Sequence, residues 1–411
     1  MKSNTLKSNE IKYYMRGVTG VFAGLSTCGG ILTAYYAFLG FSNQQIASFS
    51  SVGSAIQIIV YIASIFVADR MKNIKHWIAW LTLSSVLPCL ALLPFSLTDE
   101  PNTAAAYYLY LAASCANSLL AGLAGSLTYR LPYLIINMKD FARLENVNSI
   151  ISNCFSIGSK ILLTFLTAFF FLRQLMFWGM LIGIFFSVIY TLLTLSLKID
   201  PSYDSNSEEN ASAATSGKPA FSLEKLKMIQ IRYFHVPNLL RGLSSAAIGL
   251  STVVFMNEIT PDTTAMSTLS TLMAVSSILA AMLYQALRKK ITTVKLYLAS
   301  SVAMFIGLGS CLIGKNIVIF FLFFFLAYFG YMIISTAGAV YATEIVGYYD
   351  IGTYSAVRMI ALMTGTAIGS QGIAIAMDHI PTLPILAVCG MCQLISGILY
   401  YRFDVKYRKH C

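Results

Sequence analysis

Apolar stretches long enough to cross a bilayer recur along this chain, separated by short polar breaks. A helix needs about 20 predominantly apolar residues to span the hydrocarbon core. That measure predicts spans at Tyr13–Leu39, Ile46–Val67, Trp77–Leu97, Ala104–Tyr129, Ile150–Leu172 and Phe177–Leu197. A second set follows at Tyr233–Phe255, Met266–Leu287, Leu296–Ile313, Ile317–Ala342, Tyr354–Met377 and Leu383–Tyr401. Between the sets lies the one long polar stretch, KIDPSYDSNSEENASAATSGKPAFSLEKLKMIQ. Its Ser-, Asn- and Glu-rich composition predicts a disordered linker followed by a short interfacial helix. The expected organisation is a six-helix bundle over residues 1–197, a linker over 198–230 and a second six-helix bundle over 231–411.

The two sets repeat one another. Arg16-Gly17 followed by Gly24-Leu25-Ser26-Thr27 recurs as Arg241-Gly242 followed by Gly249-Leu250-Ser251-Thr252, with identical spacing. Each copy lies in the first span of its set. Parallel repeats related by an axis along the membrane normal are a transporter architecture, with the substrate site between the halves near the midplane.

Charge orients the helices. Cytoplasmic loops carry an excess of Lys and Arg. With the N-terminus inside, the basic loops share that side: Arg70/Lys72/Lys75, Lys139/Arg143, the linker, Arg288/Lys289/Lys290/Lys295 and the tail Arg402/Lys406/Arg408/Lys409. The opposite loops hold Asp99, Glu100, Glu258, Asp262 and Asp378, with Arg173 and Lys315 as their cations. Both termini are therefore expected in the cytoplasm, in a multi-pass protein of the cell membrane. The polar, basic N-terminus runs into an apolar stretch too long for a signal peptide and without an A-x-A cleavage site, so it reads as a retained span.

Composition fits the same class. Hydrophobic residues make up 57% of the 411-residue chain and charged residues 11%, against about 25% charged in average soluble domains. The net charge of +11 is carried by inter-span loops, not by a basic stripe with interleaved aromatics, so no nucleic-acid partner is expected. The eight cysteines lie mostly in apolar runs. Cys389 and Cys392 form a C-x-x-C pair inside a hydrophobic span without further metal ligands, which reads as helix packing. No disulfide framework, metal or cofactor is expected.

The six-plus-six plan, the central linker and one loop together resemble the major facilitator superfamily. The loop after the second span reads Val67-Ala68-Asp69-Arg70-Met71-Lys72-Asn73-Ile74-Lys75, similar to the family's G-x-L-A-D-R-x-G-R-R-K signature with both glycines missing. Its counterpart, Leu287-Arg288-Lys289-Lys290, keeps the cations and lacks the aspartate. The resemblance implies an all-α integral membrane fold of twelve helices in two pseudo-symmetric bundles. It also implies an inner gate in which Asp69 engages Arg130 or Arg358, at the ends of the fourth and eleventh spans.

Candidate chemistry inside the membrane is cationic. The acidic residues fall in loops or at the ends of the expected spans, whereas proton- or sodium-coupled carriers usually place a carboxylate in the membrane. Lys160 lies about ten residues into the fifth span, or ~15 Å at helical rise, near the middle of a ~30 Å core. Such a charge should face the bundle interior or a wet cavity. Arg16 and Arg241 are expected at like depth by the repeat, and a guanidinium fork suits phosphate or carboxylate. Their alternative is to snorkel to the near surface. Tyr35, Tyr36, Gln57, Tyr61, Asn117, Tyr190, Tyr328, Tyr331, Gln371 and Gln393 are further polar or aromatic positions within spans, open to either cavity or packing roles. Gly20/Gly24, Gly179/Gly183 and Gly365/Gly369 are small-xxx-small pairs that permit close helix approach.

The functional expectation is a monomeric carrier for a small-molecule substrate, working by alternating access in the lipid bilayer. Lys160, Arg16 and Arg241 favour a small organic anion; a neutral sugar or nucleoside is the alternative, with the cations structural. No H-E-x-x-H, G-x-S-x-G or cluster of intramembrane acids suggests an enzyme, and the four histidines are scattered near loops. A sensor would need an output domain, for which the linker and tails are too short.

Overall fold

The computed structural model describes residues 2–24, 32, 35–36, 38–67, 73–97, 103–128, 131, 135, 144, 147–148, 150–152, 154–159, 166, 170–199, 229–260, 263–288, 290–311, 316–345 and 351–408. Those residues are almost wholly helical. The long elements are α1 (Lys2–Ala23), α2 (Asn43–Val67), α3 (Ile74–Ser84), α4 (Val86–Leu97), α5 (Thr103–Thr128) and α6 (Leu172–Ser196). They continue with α7 (Ile229–Glu258), α8 (Thr263–Leu287), α9 (Thr293–Ser310), α10 (Ile317–Ile345), α11 (Ile351–Met377) and α12 (Thr382–Arg408).

Local chemistry sets several boundaries. Gly40, at φ 79°, turns the chain in the left-handed region that glycine enters without steric cost. Ser42 and Gln45 then form a reciprocal capping box at the start of α2. The Gln45 N–H donates to Ser42 Oγ at 3.2 Å, and the Ser42 N–H donates to Gln45 Oε1 at 2.9 Å. Elements α3 and α4 make up the third span, broken at Ser85, where Pro88 withholds an N–H from the helix and its ring crowds the carbonyl four residues back. Asn316 caps α10, its Oδ1 accepting from the Val318 N–H at 2.8 Å.

Two helices run further than their apolar content predicts. Element α1 begins at Lys2, not Tyr13, because its polar first turns grip the end of α6. Asn9 donates to the Lys198 carbonyl at 2.8 Å and accepts from the Lys198 N–H at 3.1 Å, while Lys12 Nζ donates to the Ser196 carbonyl at 2.9 Å. Lys75 adds a donor to the Leu197 carbonyl at 3.3 Å. Together they supply partners to the last carbonyls of a helix, which have none within the helix itself. Element α12 continues past Tyr401 to Arg408 and carries Asp404, buried and accepting from the Tyr341 hydroxyl at 3.1 Å. The sequence places Asp404 in a basic tail; the structure places it inside a helix. The interfacial helix expected in the linker lies outside the described residues.

Eight helical segments among the described residues are long and apolar enough to cross a membrane: 43–64, 74–94, 104–125, 173–196, 293–310, 317–338, 356–377 and 382–406. Element α8 contributes a shorter apolar run, Thr271–Leu287. The polar first turns of α1 and Arg16 within it interrupt the apolar run of that helix. The outer surface displays large apolar side chains such as Ile59, Trp80, Leu87, Phe185, Leu322 and Val388. A surface of that kind matches lipid, in which helices satisfy their own backbone hydrogen bonds.

Packing repeats between the halves. In the first, α2 packs on α5, the third span on α5 and α6, and α1 on α6. In the second, α8 packs on α10, α9 on α10 and α12, and α7 on α12. Each pairing recurs six spans later. Glycines set the close approaches of the second half. A Cβ on Gly242 of α7 would lie 2.8 Å from Gly365 Cα, and one on Gly369 would lie 3.0 Å from Leu243 Cα, so α7 and α11 touch backbone to backbone. Likewise, a Cβ on Gly330 of α10 would lie 2.6 Å from the Ser300 carbonyl of α9. Gly365 and Gly369 thus act as the small-residue contact that their spacing predicts.

Candidate functional site

The halves meet along α2 and α11. Among the described residues, three side-chain hydrogen bonds that cross this seam stand out. Gln44 Nε2 donates to Asp378 Oδ2 at 2.7 Å, Ser51 Oγ donates to Gln371 Oε1 at 3.2 Å, and the Ser50 and Ser370 hydroxyls pair at 3.1 Å. Residues 44, 50 and 51 lie in the first third of α2, and 370 and 371 in the last third of α11. The seam therefore closes the side of the molecule remote from the chain termini. Of these residues the sequence reading singles out Gln371 alone as an in-span polar position. Serine in an apolar run carries little signal, since its hydroxyl also bonds back to its own helix, as Ser51 does to the Ser48 carbonyl at 3.3 Å.

The repeated arginines are both buried, Arg16 4% and Arg241 3% exposed, so neither snorkels. Their partners differ. Arg16 Nε donates to Thr194 Oγ1 at 3.0 Å, and its Nη2 donates to the Tyr190 hydroxyl. The guanidinium carbon also lies 4.5 Å from the Tyr190 ring centroid and 5.7 Å from that of Tyr13. Two of the three guanidinium nitrogens are thus engaged by α6 within the first half, and aromatic faces add a favourable electrostatic contact. Arg241 lacks such partners. Its Nε and Nη1 are buried without a hydrogen bond. It reaches across to α10, where a Cβ on Gly338 would lie 3.2 Å from Arg241 Nη1 and 3.4 Å from the Tyr297 ring.

Arg358 comes to the same place. Its Nη1 donates to the Gly338 carbonyl at 3.2 Å, so α7 and α11 each bring a guanidinium to one glycine of α10. The nearby hydroxyls are held by protein partners: Tyr297 pairs with Ser396 at 3.2 Å, and Ser396 Oγ donates to the Pro237 carbonyl at 2.8 Å. Of the sequence candidates, the structure brings Arg241 and Arg358 together and sets Arg16 apart, against α6. Lys160, Asp69 and Arg130 lie outside the described residues.

Gln393, Tyr35 and Tyr36 pack against protein neighbours. Gln393 is fully buried, accepting from Ser244 at 2.9 Å and donating to Ser301 at 3.0 Å, which ties α7, α9 and α12 together. Tyr35 and Tyr36 join Tyr110, Phe41 and Phe49 in an aromatic cluster of the first half. Among the described residues no group of three or more His, Cys, Asp or Glu is placed to hold a metal ion.

This is an integral, multi-pass α-helical membrane protein built from two packed helical halves. No protein-family model matches the sequence, and neither does any curated protein. Solved structures do. A major facilitator proton:xylose symporter, XylE, superposes with a TM-score of 0.70 at 12% identity, covering 98% of this chain and 96% of that one. The nucleoside transporter NupG gives 0.66 at 15% identity, covering 96% and 99%, and a bacterial metal transporter gives 0.64 at 12%, covering 96% and 98%. The chain has the major facilitator transporter fold.

Proposed function

We propose that the protein is a solute carrier, not an enzyme, and works by alternating access. The α2–α11 seam is the observation that carries this reading. Among the described residues the two halves are joined along α2 and α11 by neutral hydrogen bonds and one exposed carboxylate contact, Gln44 with Asp378. Each neutral bond contributes about 0.5–1.5 kcal/mol net and one to a charged group about 1.5–3 kcal/mol, weak enough for one half to rock against the other. A single chain supplies both halves, so a monomer suffices. The Lys/Arg asymmetry supports cytoplasmic termini, an orientation in which the seam lies on the outer side. Three solved neighbours of this fold are named for sugar, nucleoside and metal transport, so the fold itself leaves the solute class open.

The substrate reading is a small organic anion. Arg241 supports it, as a buried cation with two unpartnered nitrogens; burial of such a charge costs several kcal/mol unless something compensates it. Lys160, read from sequence, would add a cation from the first half. Asp69 with Arg130 or Arg358 remains the proposed inner gate. The test is counterflow in liposomes carrying purified protein, across a panel of organic anions, sugars and nucleosides. Saturable flux of an anion supports the reading. Flux of a sugar or nucleoside alone would replace it with the neutral-solute carrier, and no flux of any class would remove the transport assignment.

A further inference from the structure

We infer that Arg241 and Arg358 together form a site for one doubly charged oxyanion, such as a phosphate group, held wholly within the second half at Gly338. The inference rests on the anion reading above and deepens it. A phosphate dianion has the two negative charges and the several acceptor oxygens needed to engage two guanidinium groups at once. Arg241 offers Nε and Nη1 with no hydrogen-bond partner, at 3% exposure. Arg358 approaches from α11 and is held at the Gly338 carbonyl. The absence of a side chain at Gly338 is what admits the Arg241 guanidinium beside α10, since a Cβ there would press on it at 3.2 Å.

Comparison with the other copy of the repeat sharpens the assignment. Arg16 has the same sequence context, yet its Nε and Nη2 are bonded to Thr194 and Tyr190. Its Nε–Nη2 edge is taken by protein partners. An internal duplication has therefore given one arginine a structural role and left its counterpart open. Burial of Arg241 among α7, α9 and α10 also keeps it away from lipid headgroups, so the ligand is a soluble ion.

The test is binding, not flux. Purified full-length protein in a neutral, lipid-free detergent is titrated with sodium phosphate, and with sodium chloride at matched ionic strength. The readout is the midpoint of thermal unfolding. Phosphate should raise the midpoint and chloride should not. Arg241→Gln and Arg358→Gln should each weaken the apparent phosphate affinity by about ten- to hundred-fold, the scale of losing a hydrogen bond to a charged group. Arg16→Gln should lower the starting midpoint and keep the phosphate response. An unresponsive wild type, or an Arg241→Gln protein that responds as the wild type does, overturns the site. So does a midpoint raised by added phosphatidylglycerol and not by phosphate. Phosphate binding in a protein that fails every flux assay would keep the site and remove the carrier. Flux of a neutral solute without phosphate binding would do the reverse.

Discussion

The Arg16 guanidinium carbon lies 4.5 Å over the Tyr190 ring, and Nη2 of the same group donates to the Tyr190 hydroxyl. Ring face and hydroxyl of one tyrosine thus hold one buried cation, with Thr194 engaging Nε one helical turn away. The contact ties α1 to α6, the first span of its half to the last.

Arg16→Gln should therefore destabilise the protein by about 1.5–3 kcal/mol, the scale of a hydrogen bond to a charged group. Tyr190→Phe should cost less, because the ring stays beneath the guanidinium while the hydroxyl is lost. Thermal unfolding of the detergent-solubilised protein measures both. An Arg16→Gln protein of wild-type stability that had lost anion binding would return Arg16 to the substrate site.

The α7–α11 contact gives a second test. A Cβ on Gly365 would lie 3.0 Å from Gly242 Cα and still nearer the Leu239 carbonyl, and backbone cannot step aside as a flexible side chain can. Gly365→Ala should cost about 1–3 kcal/mol or more by overpacking. Gly372→Ala, about two turns further along the same helix with nothing within 4 Å, is the internal control. It should be neutral or gain up to about 1 kcal/mol from helix propensity. Equal midpoints for the two variants would mean that α7 and α11 are not in backbone contact.

Much of this plan is legible in the sequence, and the parts that are not share a physical reason. Span positions follow from apolar runs, and the close helix approach on α11 from Gly365 and Gly369 four residues apart. Each is a property of one segment. The difference between Arg16 and Arg241 is not, because it depends on which face of a distant helix arrives. In the first half α6 presents Tyr190 and Thr194, whereas in the second α10 presents the bare backbone of Gly338. Asp404 escapes notice for the same reason. Among Arg402, Lys406 and Arg408 it reads as tail, and its burial shows when Tyr341 of α10 donates to it. The seam residues Ser50 and Ser370 are ordinary serines until the halves are placed side by side.

That seam predicts a reversible lock. The Ser50 and Ser370 hydroxyls are 3.1 Å apart, an approach that suits a cysteine pair, whose Cβ atoms lie about 3.5–4.5 Å apart in a disulfide. The double variant Ser50→Cys, Ser370→Cys should form a disulfide under mild oxidation, seen as altered mobility on a non-reducing gel. Flux of the solute identified in the liposome panel should then stop and should return on reduction. Full flux through a quantitatively cross-linked protein would show that the α2–α11 seam does not open in the transport cycle.

Lys160 provides the last prediction, and its argument starts from the geometry of the second half. If an anion is held by Arg241 and Arg358 alone, it travels with one half, and rocking the halves changes nothing at the ligand. Coupling needs a contact from the first half that binds the same solute in one arrangement and releases it in another. Lys160 is the cation that the sequence places at the right depth, near the middle of the fifth span. Lys160→Gln keeps length and polarity and deletes the charge. Substrate affinity should fall roughly ten- to hundred-fold, while stability without substrate should hold or rise, since an intramembrane charge costs about 2.5–3.5 kcal/mol on insertion scales. Phosphate binding read by thermal shift should be weakened less by Lys160→Gln than by Arg241→Gln, because both guanidinium groups at Gly338 remain. A structural lysine would give the opposite pattern, with poor folding and unaltered affinity in the protein that survives. Stable Lys160→Gln protein that transports its solute with wild-type affinity would remove Lys160 from the site and leave coupling to another first-half residue.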